Sequence, residues 1–357
     1  MKATYINGRF LAQPITGTQR YAHELLEELD HLLTESGPSC PDVTVLVPFS
    51  VKTLPRYRSL RVRRVGKLSG HLWEQLELPF YARAGLLFTP SGGAPILHRR
   101  NIITIHDAAV VASPRGYSWA FRTWYRFLNR ALCRSALHIF TVSQFAKAEL
   151  VKWYRADSQK VTVTYLGSGH ALRPEPDPTV LSNHRLRRFQ YALLVGSRNP
   201  NKNLSGLLKA LPYLEESGLQ VAIAGHSDPK VFGKLQISGE KVHDLGYVND
   251  SELRTLYENA ACFVFPSFYE GFGLPPLEAL ALGCPVVVAK STALMEIFEG
   301  VAFMCNPSDP VDIAGKVLQA SKSQQEARAS NYAFASRFQW AECAQMTWRT
   351  IAFFSEG

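Results

Sequence analysis

Short apolar runs rich in β-branched residues alternate along the chain with longer segments whose apolar residues recur every three to four positions. The first pattern predicts buried strands and the second predicts amphipathic helices. In the first half, the predicted strands are 3–6, 43–47, 86–89, 102–105, 137–142 and 161–165, and the predicted helices are 19–33, 71–84, 119–132 and 144–154. This strand–helix alternation indicates a parallel sheet with helices on both faces.

The alternation restarts after a stretch rich in glycine, serine and proline, residues 167–178. The predicted strands are then 191–195, 220–224, 242–245, 262–265 and 285–289, and the predicted helices are 203–214, 250–259, 275–282, 310–321 and 339–354. We therefore expect an α/β protein with two doubly wound, Rossmann-like domains and a ligand site in the cleft between them. The expected boundaries are 1–168, a linker 169–188, a second domain 189–335 and a C-terminal helix 336–357 that crosses back to the first domain.

Composition and charge narrow the class of protein. The 357 residues are 46% hydrophobic and 19% charged, and no apolar run approaches the roughly 18 residues of a membrane span. Six scattered cysteines without a CxxC pair argue against a disulfide framework or a zinc site and favour the cytoplasm. Residues 1–168 carry 22 Lys and Arg against 11 Asp and Glu, whereas residues 169–357 carry 17 against 19. The first domain is therefore expected to face an anionic partner.

The most specific string is Phe-Pro-Ser-Phe-Tyr-Glu-Gly-Phe-Gly-Leu-Pro-Pro-Leu-Glu, residues 265–278. It starts at the carboxyl end of a predicted strand, where open α/β sheets bind ligands, and Pro275 suits the first position of a helix. The N–H groups at this helix start predict a phosphate seat, with Glu270 and Glu278 placed to accept hydrogen bonds from sugar hydroxyls. The alternative is a loop with a dipole-stabilising glutamate. The residues of the predicted seat are Gly271, Phe272, Gly273 and Leu274.

This string resembles the Glu-x7-Glu signature of the retaining glycosyltransferases of family four, which have the GT-B fold. The resemblance covers most of the chain, because further family segments follow in the usual order, at 16–25, 104–107, 140–145, 195–204 and 245–248. It implies that Glu270 contacts the transferred sugar, that Glu278 contacts the ribose of the nucleotide, and that the amides between them hold the diphosphate. It also implies that the first domain takes the acceptor and the second binds the nucleotide sugar.

Two basic residues follow the first predicted strand of the second domain. Lys202 and Arg198 lie on a loop that opens a helix, where they could neutralise a diphosphate leaving group. Lys202 stands six residues after Gly196, as in the family, whereas Ser197 occupies the family's usual arginine position and Arg198 follows it. The alternative for Lys202 is a solvated lysine at a helix start. Because the chain has no Asp-x-Asp pair, we expect neither metal nor cofactor, and only a nucleotide diphosphate sugar as donor.

The resemblance assigns roles to further residues. His106, just after the predicted strand 102–105, would contact the donor sugar or support the reacting centre; the alternative is a structural histidine that caps a turn. Backbone at Gly17 would approach the donor phosphate, and the segment Gly246, Tyr247 and Val248 would line the base pocket. The expected catalytic set is His106, Glu270, Lys202 and Arg198, and no protein base is expected because the leaving diphosphate takes the proton of the acceptor.

Four arginines recur at every fourth position of the predicted helix 119–132 and its extension: Arg122, Arg126, Arg130 and Arg134. Aromatic residues are interleaved with them. A basic and aromatic helix suits an anionic membrane surface. One alternative is a solvated helix that packs its aromatics inward. Another is a nucleic-acid face, which no helix-turn-helix, RRM or zinc pattern supports.

Together these residues predict a metal-independent, retaining hexosyltransferase. The expected donor is GDP-mannose, the expected acceptor is a lipid-linked glycan, and the expected setting is polysaccharide biosynthesis at the inner face of the plasma membrane. The alternatives are a GT-B sugar-nucleotide epimerase and a non-catalytic nucleotide-sugar-binding partner of another transferase. A glycosidase is disfavoured, because a hydrolase with a carboxylate pair needs no phosphate seat.

Overall fold

The computed structural model describes residues 3–37, 41–225 and 241–356, so that Cys40 lies outside the described residues. The chain divides into two compact units. The first comprises Met1–Ala112, Ser118–Gly167 and Gln339–Gly357, and the second comprises Ser113–Tyr117 and Ser168–Phe338. In the described part of the chain, no helix combines the length and the apolarity that crossing a membrane requires.

The described residues of the first unit form a parallel sheet of seven strands in the order β3-β2-β1-β4-β5-β6-β7. Its strands are β1 (Thr4–Asn7), β2 (Val43–Val47), β3 (Arg61–Arg64), β4 (Leu86–Thr89), β5 (Asn101–Thr104), β6 (His138–Thr141) and β7 (Val161–Val163). Strands β1, β4 and β5 are buried almost throughout, as their apolar runs predict. Strand β3 was not predicted, because it lies at the sheet edge and three of its four residues are exposed arginines.

The helices of this unit include α1 (Gly17–Glu35), α2 (Gly70–Leu72), α3 (Leu78–Ala82), α4 (Ala109–Ala112), α5 (Trp119–Ser135) and α6 (Gln144–Tyr154), with 3-10 turns at Arg9–Ala12 and Ser158–Lys160. Ser118 and Ser143 cap α5 and α6 through their hydroxyl oxygens, which accept backbone N–H bonds. The predicted helix 71–84 is not regular, since a π-helical turn, Trp73–Glu77, separates α2 from α3. Its physical cause is Pro79, which has no N–H and whose ring would clash with a carbonyl one turn back.

The described residues of the second unit form a parallel sheet of six strands in the order β10-β9-β8-β11-β12-β13. Its strands are β8 (Tyr191–Val195), β9 (Gln220–Ala224), β10 (Val242–Gly246), β11 (Cys262–Phe265), β12 (Val286–Ala289) and β13 (Phe303–Cys305). Strands β11 and β12 are buried at every position, because helices cover both faces of a sheet of this kind. Two parallel-sheet α/β units confirm the predicted fold class.

The helices of the second unit are α7 (Thr179–Asn183), α8 (Leu204–Ala210), α9 (Asp250–Asn259), α10 (Leu274–Ala281), α11 (Thr292–Phe298), α12 (Pro310–Lys322) and α13 (Gln324–Ala335) among the described residues, with 3-10 turns at Gly169–Leu172, Pro200–Lys202 and Leu211–Ser217. A capping box between Asn249 and Glu252 starts α9. The segment 169–188, predicted as a linker, contains a 3-10 turn and α7, and it belongs to the second unit.

The last helix, α14 (Trp340–Glu356), belongs to the first unit. It packs against α1, and the hydroxyl oxygens of Thr4 and Ser355 lie 3.0 Å apart in a hydrogen bond. Arg100 donates from Nη2 to the carbonyl oxygen of Phe354 at 2.6 Å. These bonds tie α14 to strand β1 and to the residue just before β5.

Candidate active site

Lys202 lies on the loop that follows β8, and this loop is hydrogen-bonded to the loop that follows β11 in the same unit. Lys202 closes the 3-10 turn after β8, and the next residue, Asn203, has a left-handed backbone with φ +55°. The Asn203 Nδ2 atom donates to the Pro266 carbonyl oxygen at 3.0 Å, and the Phe268 N–H donates to the Asn201 carbonyl oxygen at 2.8 Å. The loop after β8 is therefore fixed against the loop after β11.

This anchoring brings together two residues that the sequence singles out 68 positions apart. Lys202 Nζ donates to Glu270 Oε1 at 2.7 Å and lies 4.8 Å from the ring centroid of Phe265. The side chains of Lys202 and Glu270 are 24% and 13% exposed, and the Glu270 N–H donates to Thr292 Oγ1 at 3.2 Å. The pair is thus partly withdrawn from water and keeps an open side.

Glu278 lies in the second turn of α10 and is held by two side chains that the sequence did not single out. His170 Nε2 lies 2.8 Å from Glu278 Oε1, and Tyr257 donates its hydroxyl to Oε2 at 3.0 Å. All three residues are buried. Burial raises the pKa of Tyr257 well above its usual range and the charge of Glu278 adds to this, so that the phenol stays protonated and donates.

One position between the two glutamates, Gly273, requires glycine. Gly273 has φ +109°, and a Cβ atom there would lie 2.8 Å from both Leu294 Cδ2 and Phe298 Cε2. Gly271 and Phe272 are buried, and Leu274 begins α10 one residue before the predicted start. The segment between the two glutamates therefore leads into the N-terminus of α10. The positive end of the helix dipole lies there and favours the binding of an anion.

Three neighbouring strands of the second sheet end in glycines with positive φ. Gly196, Gly225 and Gly246 follow or end β8, β9 and β10, with φ +153°, +134° and +63°. A Cβ atom on Gly225 would lie 2.1 Å from the Gly196 carbonyl oxygen, and the Gly225 N–H donates to the Gly246 carbonyl at 2.7 Å. These strand ends lack side chains, so that a ligand could approach their backbone closely.

Arg198 is turned towards an acidic residue of the next-but-one strand. Its Nη2 atom forms an ion pair with Asp244 Oδ2 on β10, and no bond of Arg198 to Lys202 or Glu270 is seen among the described residues. Beyond this pair, Tyr247 is exposed and Val248 is half-buried. The structure thus places Arg198 beside the predicted base-pocket segment.

His106 and Gly17 belong to the first unit. His106 follows β5, with its ring 4.8 Å from the ring of Tyr21 and at right angles to it. Burial lowers the pKa of His106 to about 4, against the opposing effect of a hydrogen bond with the Pro90 backbone, so that the ring is neutral at pH 7. Gly17 begins α1, and no described atom lies within 4 Å of where its Cβ would be.

The four arginines of α5 are all exposed. The aromatic residues of α5 do not all pack inward, since Trp119 is 77% exposed and Phe127 is 60% exposed. The alternative of a helix with inward aromatics is therefore wrong for these two residues. The buried face of α5 is formed instead by Leu128, Asn129, Leu132 and Cys133.

Comparison with known proteins decides the family. Residues 15–168 match Glycosyltransferase Family 4, and residues 183–336 match Glycosyl transferases group 1. The chain belongs to the family 4 glycosyltransferases. This glycosyltransferase is 31% identical to O-antigen chain mannosyltransferase B of Escherichia coli over 265 residues, 70% of this chain and 69% of the relative.

It is also 30% identical to O-antigen chain mannosyltransferase RfbU of Salmonella typhimurium over 319 residues, 85% of this chain and 87% of the relative. Its fold is similar to that of sucrose-phosphate synthase from Thermosynechococcus elongatus, with a TM-score of 0.74, 19% identity and 99% of each chain covered. The predicted family and the GT-B fold are confirmed.

Proposed function

We propose that this glycosyltransferase is a retaining mannosyltransferase that moves mannose from GDP-mannose to a lipid-linked glycan acceptor during O-antigen-type polysaccharide biosynthesis. Two relatives that match most of the chain are named O-antigen mannosyltransferases, which supports the sugar and the setting. The observation that carries the proposal is the contact between Lys202 Nζ and Glu270 Oε1. It joins a cation suited to a diphosphate with a carboxylate suited to a sugar.

In the proposed reaction the donor diphosphate lies at the N-terminus of α10 and beside Lys202. The bond between the anomeric carbon and the phosphate oxygen breaks, and negative charge grows on that oxygen. A preorganised ammonium group and helix amides stabilise such charge more strongly than water does. The acceptor hydroxyl bonds to the anomeric carbon from the same face, and its proton passes to the departing diphosphate oxygen. The configuration of the sugar is thereby retained.

Glu278 is proposed to bind the ribose. A carboxylate has about four acceptor positions, of which His170 and Tyr257 use one on each oxygen. These two bonds hold the carboxylate in a fixed orientation, in which it would accept hydrogen bonds from ribose hydroxyls. The glycine strand ends at Gly196, Gly225 and Gly246 would then leave room for backbone contacts to the base.

The proposed reaction needs no metal, because Lys202 and the helix amides supply the positive charge that a divalent ion would otherwise provide. Arg198 would add to it if the donor diphosphate displaced Asp244 from its guanidinium. We expect activity to survive exhaustive EDTA treatment. Complete loss of activity that magnesium or manganese restores would contradict the metal-free reaction.

Helix α5 is proposed to dock the enzyme on an anionic membrane, where a lipid-linked acceptor lies. Basic residues at such a surface contribute about 1 kcal/mol each, so that the four arginines could supply several kcal/mol. We expect the protein to sediment with anionic vesicles at low salt, to be released as salt rises and to ignore neutral vesicles.

Changing the four arginines to glutamate should abolish this sedimentation. A matched control carries the same charge change on four exposed basic residues of the second unit and should still bind; these are Arg187, Arg188, Lys209 and Lys322. If both variants bound the vesicles equally, α5 would be an ordinary solvated helix with no role in docking.

The function itself is tested with a panel of nucleotide sugars. GDP-mannose should raise the free energy of unfolding by about 2.7 kcal/mol at a hundred times its Kd, and NMR of the transfer product should show the donor's anomeric configuration. Turnover of the donor to an epimer without any acceptor would favour the epimerase. Binding without turnover on any acceptor would favour the non-catalytic partner.

A further inference from the structure

A buried charged network lies at the carboxyl ends of the central strands of the first sheet. Glu74 belongs to the π-helical turn Trp73–Glu77 and is fully buried. Its Oε1 atom accepts from Asn7 Nδ2 at 2.9 Å and from Arg9 Nε at 3.0 Å. A buried carboxylate is stable only when it is paired and hydrogen-bonded, and Asn7 and Arg9 meet this requirement at Glu74 Oε1.

The second oxygen of Glu74 faces a histidine. His71 Nδ1 lies 3.4 Å from Glu74 Oε2, a close approach that falls short of hydrogen-bond geometry, and neither atom has a hydrogen-bond partner among the described residues. A carboxylate this close to Nδ1 favours the tautomer that carries the proton on Nδ1, which leaves Nε2 as an acceptor. The His71 side chain is 42% exposed, whereas that of Glu74 is fully buried. The two residues, here called the His71–Glu74 dyad, therefore reach from the buried network to solvent.

Two aromatic residues of α5 stand beside the exposed edge of His71. The Tyr125 hydroxyl is 3.4 Å from His71 Nε2, near the limit of a hydrogen bond, and it also bonds with Arg9. The Trp124 ring lies 6.4 Å from the His71 ring, nearly perpendicular to it, and is partly exposed. The surface therefore offers an acceptor nitrogen, a phenol and an apolar ring within one small area.

The position of this network in the sheet is that of a ligand site. Asn7 ends β1, and the chain leaving β4 passes so close that a Cβ atom on Gly93 would lie 3.0 Å from Glu74 Oε2. Strands β1 and β4 are neighbours at the point where the strand order reverses, and open α/β sheets bind ligands at that point, outside the carboxyl ends. The π-helical turn adds to this, because such turns occur frequently at functional sites.

We propose that His71 binds a hydroxyl group of the acceptor glycan and that Glu74 is its positioning residue. The acceptor hydroxyl donates to His71 Nε2 in place of the long contact with Tyr125, whose own hydroxyl then bonds to a second sugar oxygen. The apolar face of the sugar ring packs against Trp124. The assignment of the ligand as an acceptor sugar rests on the proposed function, whereas the dyad itself does not.

The first experiment measures binding without turnover. Protein labelled at its histidines is titrated with the methyl α-glycosides of mannose, glucose, galactose and N-acetylglucosamine, and the His71 ring signals are followed by NMR. At least one glycoside should shift the His71 signals, and Glu74→Gln should abolish the shift in protein whose other histidine signals are unchanged. Failure of every glycoside to shift the His71 signals would overturn the proposal.

The second experiment measures transfer from GDP-mannose to the glycoside that binds. His71→Ala should raise the KM for the glycoside at least tenfold while the Kd for GDP stays within twofold, and His71→Gln, which keeps an acceptor oxygen, should recover part of the loss. His31→Ala removes an exposed histidine of α1 in the same unit and should change neither value. An unchanged KM in His71→Ala, or an equal loss of GDP affinity, would refute the site.

The two proposals can fail separately. If the wild-type protein transfers sugar from no nucleotide donor, the proposed function fails, while the NMR titration still tests the His71 site. If the wild type transfers sugar and His71→Ala does so with the same KM, only the His71 site fails.

Discussion

The substitution Lys202→Ala tests the chemistry most directly. It removes the ammonium group that contacts Glu270 at 2.7 Å and that is proposed to stabilise the leaving diphosphate. Loss of one preorganised charge of this kind typically lowers the rate by about 10²–10³, which corresponds to roughly 3–4 kcal/mol of transition-state stabilisation. We therefore expect kcat/KM for GDP-mannose to fall by about that factor.

The effect on stability should be smaller, and the exposure of the pair indicates its size. Exposed ion pairs contribute about 0.2–1 kcal/mol, whereas breaking a fully buried pair costs about 3–5 kcal/mol. With side chains 24% and 13% exposed, the Lys202–Glu270 pair lies between these limits. We expect Lys202→Ala to lower the free energy of unfolding by about 1–2 kcal/mol and to leave the protein folded.

Two assays separate the effects. Urea unfolding gives the change in stability, and product formation per folded molecule gives the change in rate. Lys209→Ala, which removes an exposed lysine of the neighbouring helix α8, is the matched control and should match the wild type in both. A folded Lys202→Ala protein with wild-type turnover would refute the role of Lys202 at the diphosphate.

Three further predictions concern the two glutamates, Gly273 and His106. Glu278→Ala should chiefly weaken GDP binding in calorimetry, whereas Glu270→Ala should chiefly lower kcat, because only Glu270 is proposed to contact the sugar that develops charge; the reverse pattern would exchange the two roles. Gly273→Ala should lower the free energy of unfolding in urea by at least about 1–3 kcal/mol, since φ is +109° and the new Cβ would lie 2.8 Å from two side chains; unchanged stability would refute the packing argument. The pKa of His106 is about 4 in the folded protein and about 6.5 in the unfolded chain. Between these pH values the unfolded chain therefore binds more protons than the folded protein. The free energy of unfolding is thus highest above pH 6.5 and falls by up to about 3 kcal/mol towards pH 4. His106→Gln should lose this pH dependence in urea titrations, and the exposed-histidine variant His31→Gln should keep it.

The order of elements follows from the sequence because the central strands of a two-sided parallel sheet are largely apolar and buried. Strand β11 is buried throughout and its run of apolar residues identifies it. Strand β3 does not follow, because an edge strand with exposed arginines carries no such signal. The π-helical turn before Pro79 also escapes the pattern, since apolar spacing cannot distinguish a widened turn from a regular one.

The candidate site could be predicted only where its residues share a local motif. Glu270 and Glu278 lie eight positions apart in one string, and Lys202 is identified by its distance from Gly196. His170, by contrast, reaches Glu278 from 108 positions away and lies in a segment that resembles a linker. Asp244 similarly looks like an ordinary strand-end residue until β10 places it beside Arg198. Partners of this kind become visible only when the sheet order is known.

The chain carries its positive charge in two different arrangements, as exposed arginines on α5 and as the single, held side chain of Lys202. The arginines of α5 are exposed to solvent. Their electrostatic attraction therefore extends over about a Debye length and is weakened by salt. Lys202 is one lysine, held against Glu270 and over the Phe265 ring, where screening by salt is weaker. In the proposed function, the excess of basic residues in the first half serves attraction to an anionic surface, whereas the near-neutral second half contributes one cation that is held in place. A count of charges detects the first role, whereas the second depends on the backbone that fixes Lys202.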